Sequence, residues 1–182
     1  MTNSKRPLEL DVQVSGEHFR FHTSRRGAKG RFGFTWTLGA GKKGPPEHVH
    51  PGETESFRVV SGVLRVFVRG VPNEVRAGQS IAVSPGTPHS FHNPGAEPVV
   101  VEVSLDGTAM EDQMIPAALH FEAIDSPKAK DFARMLVHDV EGRASVPTSA
   151  VLRSIFLAIV VVLRGFGVRG FDRVEDWERN LA

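Results

Sequence analysis

The sequence predicts a mainly β protein, a β-sandwich or barrel followed by helices. Two observations carry this reading. From about Glu17 to Leu105, apolar and polar residues alternate with a period of two, in short runs separated by Gly and Pro. After Asp106 that alternation stops and apolar residues recur at helical spacing instead. Many short strands at regular intervals with Gly/Pro turns indicate a sandwich or a barrel.

The runs follow one another in order. Phe19 and Phe21 alternate with His18, Arg20 and His22, and then Phe32, Phe34, Trp36 and Leu38 alternate with Arg31, Gly33, Thr35 and Thr37. A Gly/Pro/Lys loop fills Gly39 to Pro46. Phe57 and Val59 lead to Ser61-Gly62, Leu64, Val66 and Val68 to Arg69-Gly70, and Ile81 and Val83 to the Pro85-Gly86 turn. Val99, Val101, Val103 and Leu105 close the series. Alternate residues of a strand share a face, so each run has one apolar side for a core. Beyond it, Phe132, Met135, Leu136 and Val140 predict a helix over Pro127 to Val140, with Ser126 as N-cap, Pro127 in its first turn and Gly142 as its stop. Thr148 or Ser149 caps a second helix that ends near Gly165, and Asp172 to Asn180 forms a short amphipathic end piece. The expected division is a barrel over residues 1–110 and a helical extension over 111–182, packed on the barrel or on a partner copy.

Composition narrows the function. The chain has 182 residues, enough for one domain with a substantial core, and 40% hydrophobic and 24% charged residues, ordinary for a soluble globular protein. A net charge of +1 carries no electrostatic footprint for nucleic acid, and Arg25, Arg26, Lys29 and Arg31 read as a solvated turn. Cysteine is absent, which excludes disulfides, thiolate metal sites and cysteine nucleophiles and fits a cytoplasmic location. The N-terminal Met1 to Pro7 has no apolar segment behind its charges and does not read as a signal peptide. Val151 to Leu163, VLRSIFLAIVVVL, falls short of the roughly 20 apolar residues of a membrane span and contains Arg153. It reads as a buried or subunit-contact helix, with a C-terminal membrane anchor as the minor alternative because Arg164, Arg169 and Arg173 follow. Apolar on every side, it predicts a homodimer.

The chemistry concentrates in two stretches, His48-Val49-His50-Pro51-Gly52-Glu53-Thr54-Glu55 and Pro85-Gly86-Thr87-Pro88-His89. Histidine is the commonest metal ligand, and a carboxylate adds a hard oxygen donor. Strand parity lets His48, His50, Glu55 and His89 aim inward together, with Phe57 and Val59 in phase with Glu55, and Phe91 and Asn93 in phase with His89. His92 has the opposite parity and reads as a surface residue. Glu53 lies in the Pro51-Gly52 turn and is the weaker carboxylate candidate; Glu47 is out of phase.

His48-x-His50-x4-Glu55-x6-Gly62 resembles the first motif of the cupin superfamily, and Gly86-x2-His89-x3-Asn93 is similar to the second. The resemblance covers Arg31 to about Leu105. It departs at Lys42, where the family has a glycine, and at Ser84, where it has a proline. The resemblance implies a double-stranded jelly-roll β-barrel with C-terminal helices, in which His48, His50, Glu55 and His89 bind one divalent transition metal and Gly62, Gly86 and Asn93 are structural. Such a ligand set suits Fe, Mn, Ni, Cu, Co or Zn. Four ligands close a tetrahedral zinc, whereas a six-coordinate metal keeps two open positions. Phe34, Trp36, Phe57 and Phe91 are the expected walls of an apolar, aromatic pocket for a small molecule. The expected activity is that of a metal-dependent oxygenase, similar to cupin dioxygenases, in which Glu55 also serves as a base. A non-enzymatic, metal-stabilised ligand-binding protein and a metal-dependent isomerase or lyase are the alternatives, and the last needs a further inward acid that the strand pattern does not supply.

Overall fold

The computed structural model describes residues 8–12, 17–23, 31–124 and 128–172. Two antiparallel sheets face each other. The first contains β1 (Leu8–Val12), β2 (Glu17–Thr23), β3 (Phe32–Leu38), β5 (Glu55–Ser61), β8 (Ser80–Val83) and β10 (Val99–Leu105), in the order β1-β2-β3-β10-β5-β8. The second contains β4 (His48–Val49), β6 (Val63–Val68), β7 (Val71–Arg76), β9 (His89–His92) and β11 (Val146–Pro147), in the order β11-β4-β9-β6-β7. This is the mainly β jelly-roll barrel expected from the sequence.

The alternation in the sequence becomes the alternation in burial. Along β10, Val99, Val101, Val103 and Leu105 are buried while Val100, Glu102 and Ser104 are partly exposed. β10 sits between β3 and β5, with Val101 opposite Trp36 and Val103 opposite both Phe34 and Phe57. Glu102, on the outer face, pairs with Arg58 at 2.8 Å. Burying each Val, Leu or Phe contributes roughly 1.5–3 kcal/mol, so this inner layer supplies most of the cohesion between the sheets. Phe19, Phe21, Phe32 and Phe34 extend it as a run of ring contacts with centroids 5.5–6.3 Å apart.

Turns hold the strands in register. Gly62, between β5 and β6, has φ of 83°, and a Cβ there would press on the Val99 backbone at 3.2 Å. Ser84 to Thr87 forms a turn closed by Thr87 N–H donating to the Ser84 carbonyl at 3.2 Å, with Pro85 and a left-handed Gly86 in its centre. Pro85 therefore does the work of the proline missing at Ser84. The left-handed position of the earlier turn is Gly41, one place before Lys42. Both departures from the family pattern are thus absorbed by a neighbouring residue.

Three helices follow: α1 (Ala109–Glu122), α2 (Ala129–Gly142) and α3 (Ala150–Gly165). The periodicity does not predict α1, because Pro116 interrupts its interior. Ile115 is nonetheless buried, and Met110, Met114, Ala118 and Leu119 pack against the barrel core. α2 runs two residues past the Val140 expected from the spacing, to Gly142, and ends on a left-handed Arg143. Its expected Ser126–Pro127 start lies outside the described residues, as does all of the 172–180 end piece beyond Asp172. Ser149 caps α3, its hydroxyl accepting from Leu152 N–H at 3.3 Å. β11, between α2 and α3, pairs with β4, so the helical extension also contributes a strand to the barrel. Among the described residues no helix is long and apolar enough to cross a membrane.

Candidate metal centre

β4, β5 and β9 bring His48, His50, Glu55 and His89 together. His48 is directly opposite His89 in the β4–β9 ladder, His50 follows two residues later, and Glu55 opens β5. All four are buried, and one potential ligand atom from each lies within 4.8 Å of the others. Oε2 of Glu55 stands 3.2 Å from Nε2 of His50 and 2.9 Å from Nε2 of His89. Donors at adjacent corners of an octahedron with bonds of about 2.1 Å stand about 3.0 Å apart, so these separations suit donors around one cation.

The backbone fixes how each ring presents itself. Nδ1–H of His48 donates to the Pro46 carbonyl at 2.8 Å, that of His89 to Thr87 at 2.9 Å, and that of His50 to Ala144 at 2.6 Å. A carbonyl can only accept, so Nδ1 carries the proton in all three rings and Nε2 faces the common point. Metal-ligating histidines are oriented by this kind of outer hydrogen bond. Ala144 lies beyond the barrel, between α2 and β11, so the helical extension braces a ligand of the barrel. Strand parity cannot reveal a partner 94 positions away.

Electrostatics follow from burial and from these contacts. Burial, helped by the neighbouring His89, pushes His48 down to about 4, which keeps it neutral at physiological pH. Burial also opposes charge on His50, but Glu55 outweighs it and the net shift is upward. Burial alone would raise the Glu55 carboxyl; its close contacts with the His50 and His89 rings win and hold it at about 2.

Glu53, the weaker carboxylate candidate, has a different task. Its carboxylate accepts from Ala109 N–H at 2.8 Å and Met110 N–H at 3.3 Å, capping the start of α1. A side chain at Gly107 would collide with it. His92 points away from the cluster and stacks on Phe67, with ring centroids 5.5 Å apart. Asn93 is structural: its buried amide donates to the carbonyls of Leu38, Gly39 and Glu97 at 2.7–3.1 Å and accepts from Gly95 N–H at 2.9 Å.

A cavity of about 1240 Å³ opens beside the cluster, and His48, His50 and Glu55 form part of its wall. Phe34, Trp36 and Phe91 line it. Phe57 is absent from its lining; it lies in the core behind Phe91, ring centroids 5.1 Å apart. The opposite wall comes from the helices, with Met114 and Phe121 of α1, Met135 and Leu136 of α2, and Leu152 and Phe156 of α3. Gln113 of α1, Asp139 of α2 and Arg153 of α3 are polar members of this wall. Burial raises the Asp139 carboxyl to about 6. Sequence patterning misses Asp139 because it looks for inward acids only on the strands.

The family model for the cupin domain matches residues 34–106. The barrel belongs to the cupin superfamily. The chain is also 38% identical over 97 residues to a probable oxidoreductase, yanE, of Aspergillus niger, covering 52% of this chain and 36% of that protein. It is 36% identical over 75 residues to the probable oxidoreductase patJ of Penicillium expansum, covering 40% of this chain and 23% of that one. The chain therefore spans well under half the length of these curated relatives. Among solved structures, the cupin domain of Schizosaccharomyces pombe Cnp3 aligns with a TM-score of 0.43 at 18% identity, over 52% of this chain and 65% of that chain. The cupin barrel and its buried His/Glu cluster fit a metal-binding protein.

Proposed function

We propose that this cupin is a metal-dependent oxygenase, dioxygenase-like, acting on an apolar or aromatic small molecule. The observation that carries the reading is the meeting of four donors, His48, His50, Glu55 and His89, at the wall of an apolar cavity. A bound transition metal (Fe, Mn, Ni, Cu, Co or Zn) supplies redox or Lewis-acid chemistry there. The protein's own contributions are positional. The three imidazoles are locked by their Nδ1 hydrogen bonds, and Trp36 and Phe91, edge to face with centroids 5.1 Å apart, offer an aromatic wall to the substrate. The helices supply one wall of the cavity beside the donors. Glu55 is assigned as a ligand. At about 2 its carboxyl accepts a proton poorly while both imidazole contacts hold, so a role as base requires one of them to break.

Reconstitution with iron, nickel, copper or manganese, followed by oxygen-electrode measurements with catechol, a flavonol and a β-diketone, tests the reading. Metal-dependent oxygen uptake with one of these probes is the expected result. No uptake and no spectral change with any probe contradicts it. Asp139 favours a metal-dependent isomerase or lyase as the second reading, since it is a partly buried carboxyl on the cavity wall; product formation without oxygen consumption would select it.

We infer also that two copies associate through α3. Val151, Ile155, Ile159, Val162 and Phe166 form an exposed apolar stripe at helical spacing, and within the described residues only Val160 of this helix is buried. A two-fold contact covers both stripes at once. Sedimentation velocity at micromolar concentration is expected to show a dimer, and a monodisperse monomer contradicts it.

A further inference from the structure

We propose that Lys43, Arg143 and Arg153 form a cationic rim on the cavity that binds the carboxylate of an amphipathic acid, whose apolar body fills the space between the aromatic strands and the helices. This deepens the proposed function and rests on it where the ligand meets the metal; the rim itself is independent of the metal.

The three cations reach one cavity from separate segments. Lys43 lies in the loop before β4, Arg143 directly precedes the Ala144 that holds His50, and Arg153 follows β11 in α3. β4 and β11 are paired, with Pro147 opposite His48. The cations therefore flank the ladder that carries His48. All three residues are exposed as well as lining the cavity, so a ligand can reach them.

The fold makes no evident use of these charges. Among the described residues, Arg58, Arg65, Arg76 and Arg164 form ion pairs, whereas Lys43, Arg143 and Arg153 form none. Nearby acids are engaged elsewhere: Glu141 with Arg164, and Glu47 with the Thr148 hydroxyl. Two of the placements run against local stability. Arg143 has φ of 53° at the left-handed end of α2, a position that favours Gly or Asn. Arg153 stands near the start of α3, where the helix dipole disfavours a cation and no acid lies in the first turn. Of the carboxylates that line the cavity, Glu55 faces the imidazoles, Glu17 has a partner of its own, and Asp139 forms no ion pair with the rim. An unpaired surface cation is ordinary alone; here three segments bring one each to the same apolar cavity.

The rest of the lining fixes the other half of the ligand. Trp36, Phe91, Met114, Phe121 and Met135 offer carbon, sulfur and aromatic faces. The volume of about 1240 Å³ is at or above the range of drug-sized pockets, about 300–1,000 Å³, so a ring system or chain fits it better than a fragment. The rim selects an anion and disfavours an ammonium group. Guanidinium forks match a carboxylate in two-point geometry, which makes the acid the preferred head group.

Isothermal titration calorimetry of the full chain, as purified and again after chelation, compares biphenyl-4-carboxylate, its carboxamide and 4-phenylbenzylamine. One exposed ion pair contributes at most about fivefold, so two or three rim cations should give the carboxylate roughly a tenfold preference over the carboxamide in both preparations. Lys43→Gln combined with Arg153→Gln is expected to reduce that preference to about threefold or less and to leave carboxamide binding unchanged. Adding Arg143→Gln is expected to erase the remainder. Lys42→Gln removes the same charge next door, from an exposed residue outside the lining, and is expected to change neither. The proposal is overturned by a preference that is missing from the chelated parent, that survives in the triple variant, that falls equally in Lys42→Gln, or that is exceeded by the amine. Absence of binding by every probe up to about 1 mM overturns it too. A preference seen only before chelation and insensitive to the rim reports carboxylate on the metal; it supports the metal centre and overturns the rim. A rim-dependent preference in protein that shows no metal-dependent oxygen uptake supports the rim and counts against the oxygenase reading.

Discussion

His50→Ala is expected to yield protein that no longer retains metal through purification. His50 is one of the four donors: its Nε2 is 3.2 Å from Glu55 Oε2, and its Nδ1–H is tied to the Ala144 carbonyl at 2.6 Å. Removing the ring takes away a donor and leaves an Ala144 acceptor and a Glu55 oxygen without that partner. Loss of an outer-shell hydrogen bond typically lowers metal affinity about 10–100-fold, so loss of a ligand should lower it by about 100-fold or more. His92→Ala is the matched control. It also removes an imidazole from β9, but from the opposite face, where the ring stacks on Phe67. Elemental analysis of both variants, made without added metal, separates them: His92→Ala keeps the metal content of the parent and His50→Ala loses it. Equal content in the two contradicts the site.

Asn93→Ala is expected to destabilise the barrel by about 2–4 kcal/mol, a large effect for one substitution, because it orphans several buried backbone groups together. The Asn93 side chain joins three segments. Its amide donates to Leu38 and Gly39 at the end of β3 and to Glu97 ahead of β10, and its oxygen receives Gly95 N–H. At 1% exposure, water cannot replace these bonds without opening the structure. Urea unfolding with a matched m-value measures the difference. A change below about 0.5 kcal/mol, the range of an ordinary surface substitution, would show that these bonds contribute little. Asn93 directly follows β9, the strand that carries His89, so metal content should fall along with stability in this variant.

The barrel was legible because its inner face is written in period-two runs. Val99, Val101, Val103 and Leu105 announce β10 without ambiguity, and the parity of His48, His50, Glu55 and His89 follows from the same rule. What stayed hidden depends on tertiary contact. β7, Val71–Arg76, places only Val75 in the core, so its sequence shows no alternation. α1 carries Pro116 in its interior and is held by packing of Ile115 and Met114 on the barrel and by the distant carboxylate of Glu53. Glu53 itself reads as a spare ligand until the helix it caps is known. The cavity was half legible: Phe34, Trp36 and Phe91 come from strands, whereas Asp139 and the methionine- and phenylalanine-rich wall come from helices whose placement no local pattern specifies. The Ala144 contact to His50 depends on a return of the chain to β4 that only β11 pairing reveals.

X-ray absorption at the metal edge of the protein as purified tests the central claim most directly. The account predicts a first shell of nitrogen and oxygen donors alone, with the multiple-scattering signature of three imidazoles and the remaining positions filled by carboxylate or solvent oxygen. A shell of oxygen only, or one with fewer than two imidazoles, would contradict the convergence of His48, His50 and His89 on a single ion.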